Sequence, residues 1–228
     1  MKFLHIALIG SCNRRCGYCR QAFNGHLYPV RHEANKITNA GLLAWLDKYF
    51  VSSEWYACIT GGEPGLYPEI ETLIPALNER GFRGHIETNG SLPIPKSKNF
   101  KLLSAWHMGA EFPKHYDAVL VIKNPHEDYM AKIKYCKENG VVYKTIGYGE
   151  VWGGNYQMNF KDGHNFENYI FVGTDGIAKK CQQGEHDRNN SIFNLPPLER
   201  FGSRKPCVEC NTCMENAKTA KFIAAHFA

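Results

Sequence analysis

The stretch that decides the fold is Phe3-Leu4-His5-Ile6-Ala7-Leu8-Ile9-Gly10-Ser11-Cys12-Asn13-Arg14-Arg15-Cys16-Gly17-Tyr18-Cys19. Its first half, Phe3–Ile9, is an almost continuous apolar run, which is typical of a strand buried on both faces. Its second half is a CxxxCxxC pattern, with Cys12, Cys16 and Cys19 within eight residues. Three thiolates this close can face a common point only if the backbone curls around it, and a loop that contains Gly17 can do so.

The cysteine spacing favours an iron–sulfur cluster over zinc. Thiolates select zinc or iron–sulfur clusters rather than hard cations. A structural zinc site normally has four protein ligands, but the nearest histidines, His5 and His26, are not at a customary spacing from the cysteines. Three ligands would instead leave one iron of a four-iron cluster open to another molecule.

Strands and helices alternate through the first two thirds of the chain. Further strands are predicted over Tyr56–Thr60, Gly84–Thr88, Leu102–Trp106, Ala118–Ile122 and Val141–Ile146. Helices are predicted over Asn39–Phe50 and Asp128–Asn139. A further helix between them is predicted to have Pro68 in its first turn, a kink at Pro75 and its end near Gly81. A Pro- and Lys-rich loop is predicted over Leu92–Lys101. Six strands with intervening helices indicate parallel βαβ units.

Two further polar motifs follow predicted strands. Gly61-Gly62-Glu63-Pro64 comes after the second strand, and Glu87-Thr88-Asn89-Gly90 ends the third. Either motif alone could be a plain turn. Because the carboxyl ends of parallel strands meet at one edge of the sheet, both are expected beside the cysteine loop.

Together these motifs resemble the radical S-adenosylmethionine (SAM) superfamily, over about residues 1–147. The resemblance implies an α/β fold, a partial (β/α)6 TIM-like barrel with a small C-terminal cluster-binding extension. It also implies that Cys12, Cys16 and Cys19 hold a [4Fe-4S] cluster with SAM at the open iron. The residues that the resemblance assigns to SAM are Tyr18 near the adenine, Gly61, Gly62, Glu63 and Pro64 at the methionine amino group, and Glu87 and Asn89 near the ribose and methionine.

A second cysteine set lies in the last third of the chain. Cys207, Cys210 and Cys213 form a CxxCxxC run, which resembles three ligands of a bacterial ferredoxin cluster. Cys181 is the remote candidate for the fourth ligand. The same four thiolates could instead hold a structural zinc ion.

The arrangement around Cys181 resembles the SPASM and twitch extensions that follow radical SAM barrels. A full SPASM pattern uses more cysteines, so a twitch-like extension over residues 148–228 with one auxiliary [4Fe-4S] cluster fits better. Within it, Tyr169–Val172 and Ile177–Lys180 are predicted to form a hairpin around a Gly-Thr-Asp-Gly turn. A final helix is predicted from about Glu215 to Phe227.

Other candidate site residues rest on position alone. His107 follows the fourth strand and Lys144 lies on the sixth, with Tyr148 and Glu150 just beyond it. These four are candidate catalytic residues, although a histidine at a strand end is often structural. Cys58 and Cys136 fall on apolar faces and are expected in the core rather than as ligands.

Composition narrows the partners and the location. The formal net charge of +5 counts every cysteine as a neutral thiol, and the basic residues are scattered, so nucleic-acid binding is not indicated. Phe3–Ile9 resembles a short signal peptide before a lipid-modified cysteine, but it is brief and interrupted by His5. No apolar run approaches the roughly 18 residues that span a bilayer. A cytoplasmic protein without a membrane partner is therefore expected.

By resemblance, the chain is an enzyme that reductively cleaves SAM to a 5′-deoxyadenosyl radical, which removes hydrogen from a small-molecule or peptide substrate. The auxiliary cluster would allow a net oxidation, and a reductase, flavodoxin or ferredoxin would supply electrons. The alternatives are a glycyl-radical activating enzyme, a ribosomal-peptide maturase and, outside enzymes, an iron–sulfur electron carrier. The distant C-terminal cysteines are unexpected for a glycyl-radical activating enzyme. The lack of a peptide-binding domain before Met1 is unexpected for a ribosomal-peptide maturase.

Overall fold

A parallel sheet forms the frame of the protein. The computed structural model describes residues 2–14, 16, 37–147, 169–179, 188–198 and 212–227. The described strands are β1 (Lys2–Ile9), β2 (Trp55–Gly61), β3 (Arg83–Thr88), β4 (Phe100–Trp106), β5 (Ala118–Lys123), β6 (Tyr143–Gly147), β7 (Tyr169–Val172) and β8 (Ala178–Lys179). They form one sheet in the order β6-β5-β4-β3-β2-β1-β7-β8. The α/β class predicted from the alternating pattern is confirmed.

The described helices are α1 (Asn39–Tyr49), α2 (Ile70–Glu79), α3 (Tyr129–Glu138) and α4 (Thr212–Phe227). Side chains cap two of them: Thr38 accepts from the backbone N–H of Gly41 at the start of α1, and Asp128 accepts from that of Ala131 at the start of α3. No helix in the described part of the chain combines the length and the apolarity needed to cross a membrane.

Three predicted boundaries were wrong. Pro68 precedes α2 instead of lying in its first turn, because Glu69 is the N-cap and Pro64 instead opens a separate 3-10 helix. The predicted loop 92–101 overlaps β4, which begins at Phe100 because this buried aromatic side chain is part of the core. The last helix begins at Thr212, so Cys213 lies in its first turn.

The sheet continues beyond the six predicted βα strands. β1 to β6 pair as parallel neighbours in the expected order, and β7 adds a further parallel strand beside β1. β8 returns antiparallel to β7, so the predicted hairpin is confirmed. All the parallel strands therefore end at the same edge of the sheet, where the loops after β1, β2, β3 and β4 meet.

The two faces of the sheet bury different partners. On one face, Leu4, Ile6 and Leu8 of β1 share a core with Trp45 of α1 and Leu73 of α2. The opposite face of β4 to β6 carries a second apolar cluster, against which α4 packs through its last two turns. This second cluster comprises Leu103, Ala118, Leu120, Ile122 and Ile146, with Phe222 and Phe227 of α4 packed on it. Helices α1 and α2 thus cover the outer face, and α4 covers part of the inner face.

Candidate active site

The cysteine loop begins where β1 ends. Cys12 is exposed and Cys16 half-buried, and neither forms a disulfide among the described residues. The Cys12 Sγ atom accepts from the backbone N–H of Arg14 at 3.4 Å, and it lies 3.9 Å from Asn89 Nδ2, which donates to it. N–H donors directed at sulfur stabilise a thiolate, so Cys12 fits the chemistry of a cluster ligand.

Gly61 and Gly62 bring the end of β2 against the backbone of the cysteine loop. The N–H of Gly62 donates to the Ile9 carbonyl at 2.6 Å, and that of Glu63 donates to the Ser11 carbonyl at 2.9 Å. A Cβ atom at Gly61 would collide with the Ile9 carbonyl, and one at Gly62 with that of Ser11. Gly61 also has a φ of +138°, which favours glycine. The two glycines are therefore needed for the chain's own packing, a reason that the sequence did not reveal.

The carboxylate of Glu63 is fully buried and joins the ends of two strands. Its Oε1 atom accepts from Thr88 Oγ1 at 2.6 Å and from the Gly65 N–H at 3.0 Å. Its Oε2 atom accepts from the Asn89 N–H at 2.7 Å. Pro64 follows directly and opens the short 3-10 helix. Glu63 thus holds the loops after β2 and β3 together, and its contact with a ligand ammonium stays a prediction.

A side-chain network links Asn89 to the cysteine loop. Asn89 Nδ2 donates to Asn13 Oδ1 at 2.8 Å, and Asn13 Nδ2 donates to Ser91 Oγ at 2.9 Å. The backbone N–H of Ser91 donates to Asn89 Oδ1 at 3.0 Å, which closes the network. Asn13 and Ser91 were not predicted as site residues from the sequence. Asn13 lies inside the cysteine motif and Ser91 directly follows Gly90, and these polar side chains were the signal that could have found them.

Glu87 lies on the inner face of β3 beside His85. Its Oε1 atom is 3.5 Å from His85 Nε2. Burial raises the pKa of the Glu87 carboxyl, whereas His85 lowers it. His5 and Lys144 lower the same pKa further, so the net shift is downward. Lys144 of β6 therefore acts electrostatically on Glu87, while His5 and His85 are inner-face residues that the sequence reasoning did not select.

His107 directly follows β4 and lies within electrostatic reach of the cysteine loop. Its pKa is lowered from 6.5 to about 4, first by burial and then by the charges of Arg14 and Lys132. The ammonium of Lys132 donates to the carbonyls of Trp106 and His107 at 3.1 Å each and to Glu127 Oε2 at 2.7 Å. Lys132 thereby fixes the end of β4. The imidazole of His107 beside it is neutral at neutral pH.

The candidate residues thus divide into two groups. Cys12, Cys16, Gly61, Gly62, Glu63, Pro64, Asn89 and His107 lie at or just after the ends of β1 to β4, whereas Glu87 lies on the inner face of β3, where Lys144 of β6 lowers its pKa. The predicted residues outside the described part of the chain are Tyr18, Cys19, Tyr148, Glu150, Cys181, Cys207 and Cys210. Cys213 lies in helix α4.

Sequence comparisons agree with the motif positions. The sequence model of the radical SAM superfamily matches residues 6–150. The chain is similar to the 7-carboxy-7-deazaguanine synthase of Bacteroides thetaiotaomicron, with 34% identity over 87 residues, 38% of this chain and 41% of that protein. The same enzyme of Aquifex aeolicus is 29% identical over 89 residues, 39% of this chain and 37% of that protein. The matched segment spans about two fifths of these relatives, 41% and 37% of their lengths.

Solved structures with a similar fold include Streptococcus suis SuiB. SuiB bound to its precursor peptide SuiA has a TM-score of 0.62 and 16% identity, over 88% of this chain and 64% of that chain. SuiB bound to S-adenosylmethionine has a TM-score of 0.62 and 15% identity, over 89% of this chain and 66% of that chain. At these identities the likeness is one of fold.

Proposed function

The chain belongs to the radical SAM superfamily, and we propose that it cleaves SAM reductively and removes hydrogen from a substrate bound at the carboxyl edge of the sheet. The observation that carries the proposal is the hydrogen-bonded connection of three strand ends. Asn89 donates to Asn13 and to Cys12 Sγ, and its own backbone N–H is held by Glu63. One network therefore orients the cysteine loop against the GGE motif.

The residues fit the cofactors that the family uses. Cys12 and Cys16, with Cys19 as the third ligand, would hold a [4Fe-4S] cluster, and Tyr18 would lie near the adenine of SAM. When bound, the cluster and SAM supply one electron and a 5′-deoxyadenosyl radical to the site. The chain supplies N–H donors to the Cys12 sulfur and a fixed approach of Gly62 to the cysteine loop.

The inner face beneath this edge favours a small polar substrate. Glu87 carries a depressed pKa, so its carboxylate is charged at neutral pH, and Lys144 contributes to that depression. Opposite charges on β3 and β6 could orient a molecule that carries both a cation and an anion. His107, held neutral beside the cysteine loop, could exchange a proton with the substrate. Tyr148 and Glu150 remain further candidates for substrate contact.

A net oxidation is the reaction type that we propose. Loss of one hydrogen atom leaves a substrate radical, which must lose an electron and a proton to become a stable product. Cys181, Cys207, Cys210 and Cys213 would hold a second [4Fe-4S] cluster that accepts this electron. The barrel would then comprise residues 1–147, and residues 148–228 would form a twitch-like extension. A flavodoxin, ferredoxin or reductase would deliver the electron to the first cluster.

A peptide substrate is the second candidate. SuiB has been solved with its precursor peptide and shares the fold over 88% of this chain, but at 16% identity. The curated relatives are named for a small heterocyclic product, and they match over 38% and 39% of this chain at higher identity. We therefore place the small polar substrate first.

The test is SAM cleavage by the anaerobically reconstituted protein. Dithionite and SAM are added, and 5′-deoxyadenosine and methionine are quantified by liquid chromatography and mass spectrometry. Production is expected from the wild type and from Cys136→Ala, in which a buried thiol of α3 is removed. Cys12→Ala should abolish it. A fully iron-loaded wild type that forms no 5′-deoxyadenosine would contradict the proposal.

A separate measurement tests the auxiliary cluster. The triple variant Cys12→Ala, Cys16→Ala, Cys19→Ala is reconstituted, and its iron, sulfide and zinc are measured. About four irons per chain are expected if the remaining site is a cubane. Zinc in place of iron would refute the auxiliary cluster and leave SAM cleavage by the wild type unaffected.

A further inference from the structure

We propose that Cys58, His85 and Glu87 form a second kind of metal site, a zinc-type divalent cation site on the inner face of the sheet. One ligand atom from each residue lies within 4.8 Å of the other two. Cys58 and His85 are completely buried, and Glu87 is partly exposed. The site is distinct from both cysteine motifs, and it does not depend on SAM chemistry.

The strand geometry places the three donors on one face. His85 and Glu87 are two residues apart on β3, and side chains at this spacing point to the same side of a strand. Cys58 of β2 is the direct register partner of His85. The Cys58 thiol therefore lies beside the imidazole, and Glu87 stands one step nearer to the carboxyl edge. A cation could enter past Glu87, whose side chain is 36% exposed.

The imidazole of His85 is oriented as metal ligands usually are. His85 Nδ1 lies 3.1 Å from the hydroxyl of Tyr56, which fixes the ring. A hydrogen bond at one ring nitrogen directs the other toward a metal and sets its tautomer. His85 Nε2 is buried and makes no hydrogen bond of good geometry within the described residues. It is thus a buried donor atom aimed into the cluster.

The separation of the ligand atoms suits a tetrahedral ion. His85 Nε2 and Glu87 Oε1 are 3.5 Å apart, which is long for a hydrogen bond. Two ligand atoms bound at the usual zinc distances of about 2.0–2.2 Å in tetrahedral geometry lie about 3.3–3.6 Å apart. An ion between the two atoms would therefore fit with small adjustments of side chains.

The donor set selects the type of metal. A thiolate and an imidazole favour zinc-type ions over magnesium or calcium, and a carboxylate completes a set that zinc accepts. A thiolate and a carboxylate would balance the two positive charges of the ion. His5 and Lys144 also lower the pKa of the Glu87 carboxyl. Three protein ligands leave a fourth position for water or for an oxygen or nitrogen atom of a substrate.

The competing explanation is a metal-free polar cluster in which His85, His5 and Lys144 together stabilise the Glu87 carboxylate. The chain offers a matched control, because Cys136 of α3 is as completely buried as Cys58 but lies in an otherwise apolar cluster. Removal of either thiol leaves a similar cavity. Only the removal of Cys58 takes away a metal donor.

The experiment uses the full chain after anaerobic reconstitution of its iron–sulfur sites, titrated with Co²⁺ as the probe for a zinc-type site. Bound cobalt is measured by mass spectrometry, and the thiolate-to-cobalt charge-transfer band by absorption. About one Co²⁺ per chain and a thiolate band are expected for the wild type and Cys136→Ala. Cys58→Ala should lose the band, and His85→Ala should weaken cobalt binding at least about tenfold.

Two results would overturn the site. Equal cobalt binding by all four proteins would indicate an adventitious ion only, and no cobalt in the wild type would leave a metal-free cluster. If an alanine variant fails to fold, Cys58→Ser and Glu87→Gln are tested instead. Both keep nearly the native side-chain volume and should also lose affinity for Co²⁺. Normal 5′-deoxyadenosine formation with no cobalt site would reject this inference alone, whereas a cobalt site without SAM cleavage would reject the proposed function alone.

Discussion

The Glu63 carboxylate at the end of β2 accepts a 2.6 Å hydrogen bond from the Thr88 hydroxyl at the end of β3. Both groups are buried, and the adjacent Asn89 N–H donates to the second carboxylate oxygen at 2.7 Å. Two separate sequence motifs are thus one structural unit. The unit fixes the loops after β2 and β3, which carry residues predicted to contact SAM.

Glu63→Gln is predicted to destabilise the protein. The glutamine amide keeps one acceptor oxygen but turns the other into an NH2 group, which would face the N–H of Asn89 or the hydroxyl of Thr88. Loss of one buried charge-assisted hydrogen bond costs about 1.5–3 kcal/mol. Denaturant unfolding measures the change. The control is Glu71→Gln on the exposed side of α2, expected to change stability by less than about 1 kcal/mol. Equal losses in the two variants would contradict the structural role of Glu63.

Gly62→Ala is predicted to displace the cysteine loop. The new methyl group would collide with the Ser11 carbonyl, which is backbone and cannot move without shifting the loop that carries Cys12. A stability loss above about 3 kcal/mol and poor iron retention are expected. Gly10→Ala is the matched control, since a Cβ there meets no atom of the described residues within 4 Å. Iron content after reconstitution compares the two. Full iron loading of Gly62→Ala would show that the contact is dispensable.

The order of β1 to β6 could be predicted from the sequence because each strand is local and apolar and is followed by its own helix or loop. The CxxxCxxC and GGE motifs marked two strand ends correctly for the same reason. The position of β7 could not be predicted, since Tyr169–Val172 is a short apolar run whose pairing with β1 depends on residues far away in sequence. A hairpin pattern identifies the turn but not the strand beside which it lies.

The inner-face cluster was missed for a related reason, although Cys58 itself was correctly predicted in the core. His5 interrupts the apolar run of β1, and His85 and Cys58 lie on strands whose sequences are typical of the buried core. Periodicity indicates which residues share a face, but only the register of β1, β2 and β3 brings these three side chains side by side. Asn13 was likewise hidden, because its partner Asn89 is 76 residues away.

Asn89→Asp is predicted to weaken iron binding. The substitution keeps the shape but replaces the NH2 donor that reaches Asn13 and the Cys12 sulfur with an acceptor oxygen. A carboxylate beside a thiolate and the buried Glu63 is electrostatically unfavourable, with an expected cost of about 1–3 kcal/mol. Iron release into a chelator measures the effect. Ser91→Ala, which removes only the outer member of the network, should release iron at nearly the wild-type rate. Equal rates for both variants would contradict the prediction.

Acid should destabilise the protein through His107. Its pKa is lowered from 6.5 to about 4 by burial and by the charges of Arg14 and Lys132, so the folded imidazole stays neutral while the unfolded one takes up a proton. Because the unfolded state binds more protons in this range, stability is intact above pH 6.5 and falls as the pH drops toward 4.

Between pH 7 and pH 5 the wild type should lose about 1–2 kcal/mol more than His107→Asn. Denaturant unfolding of both proteins at both pH values gives this difference. His5 is also buried with a pKa of about 4, but it is present in both proteins, so its contribution cancels. Equal acid losses in the two proteins would show that His107 is protonated as readily in the folded state as in the unfolded one.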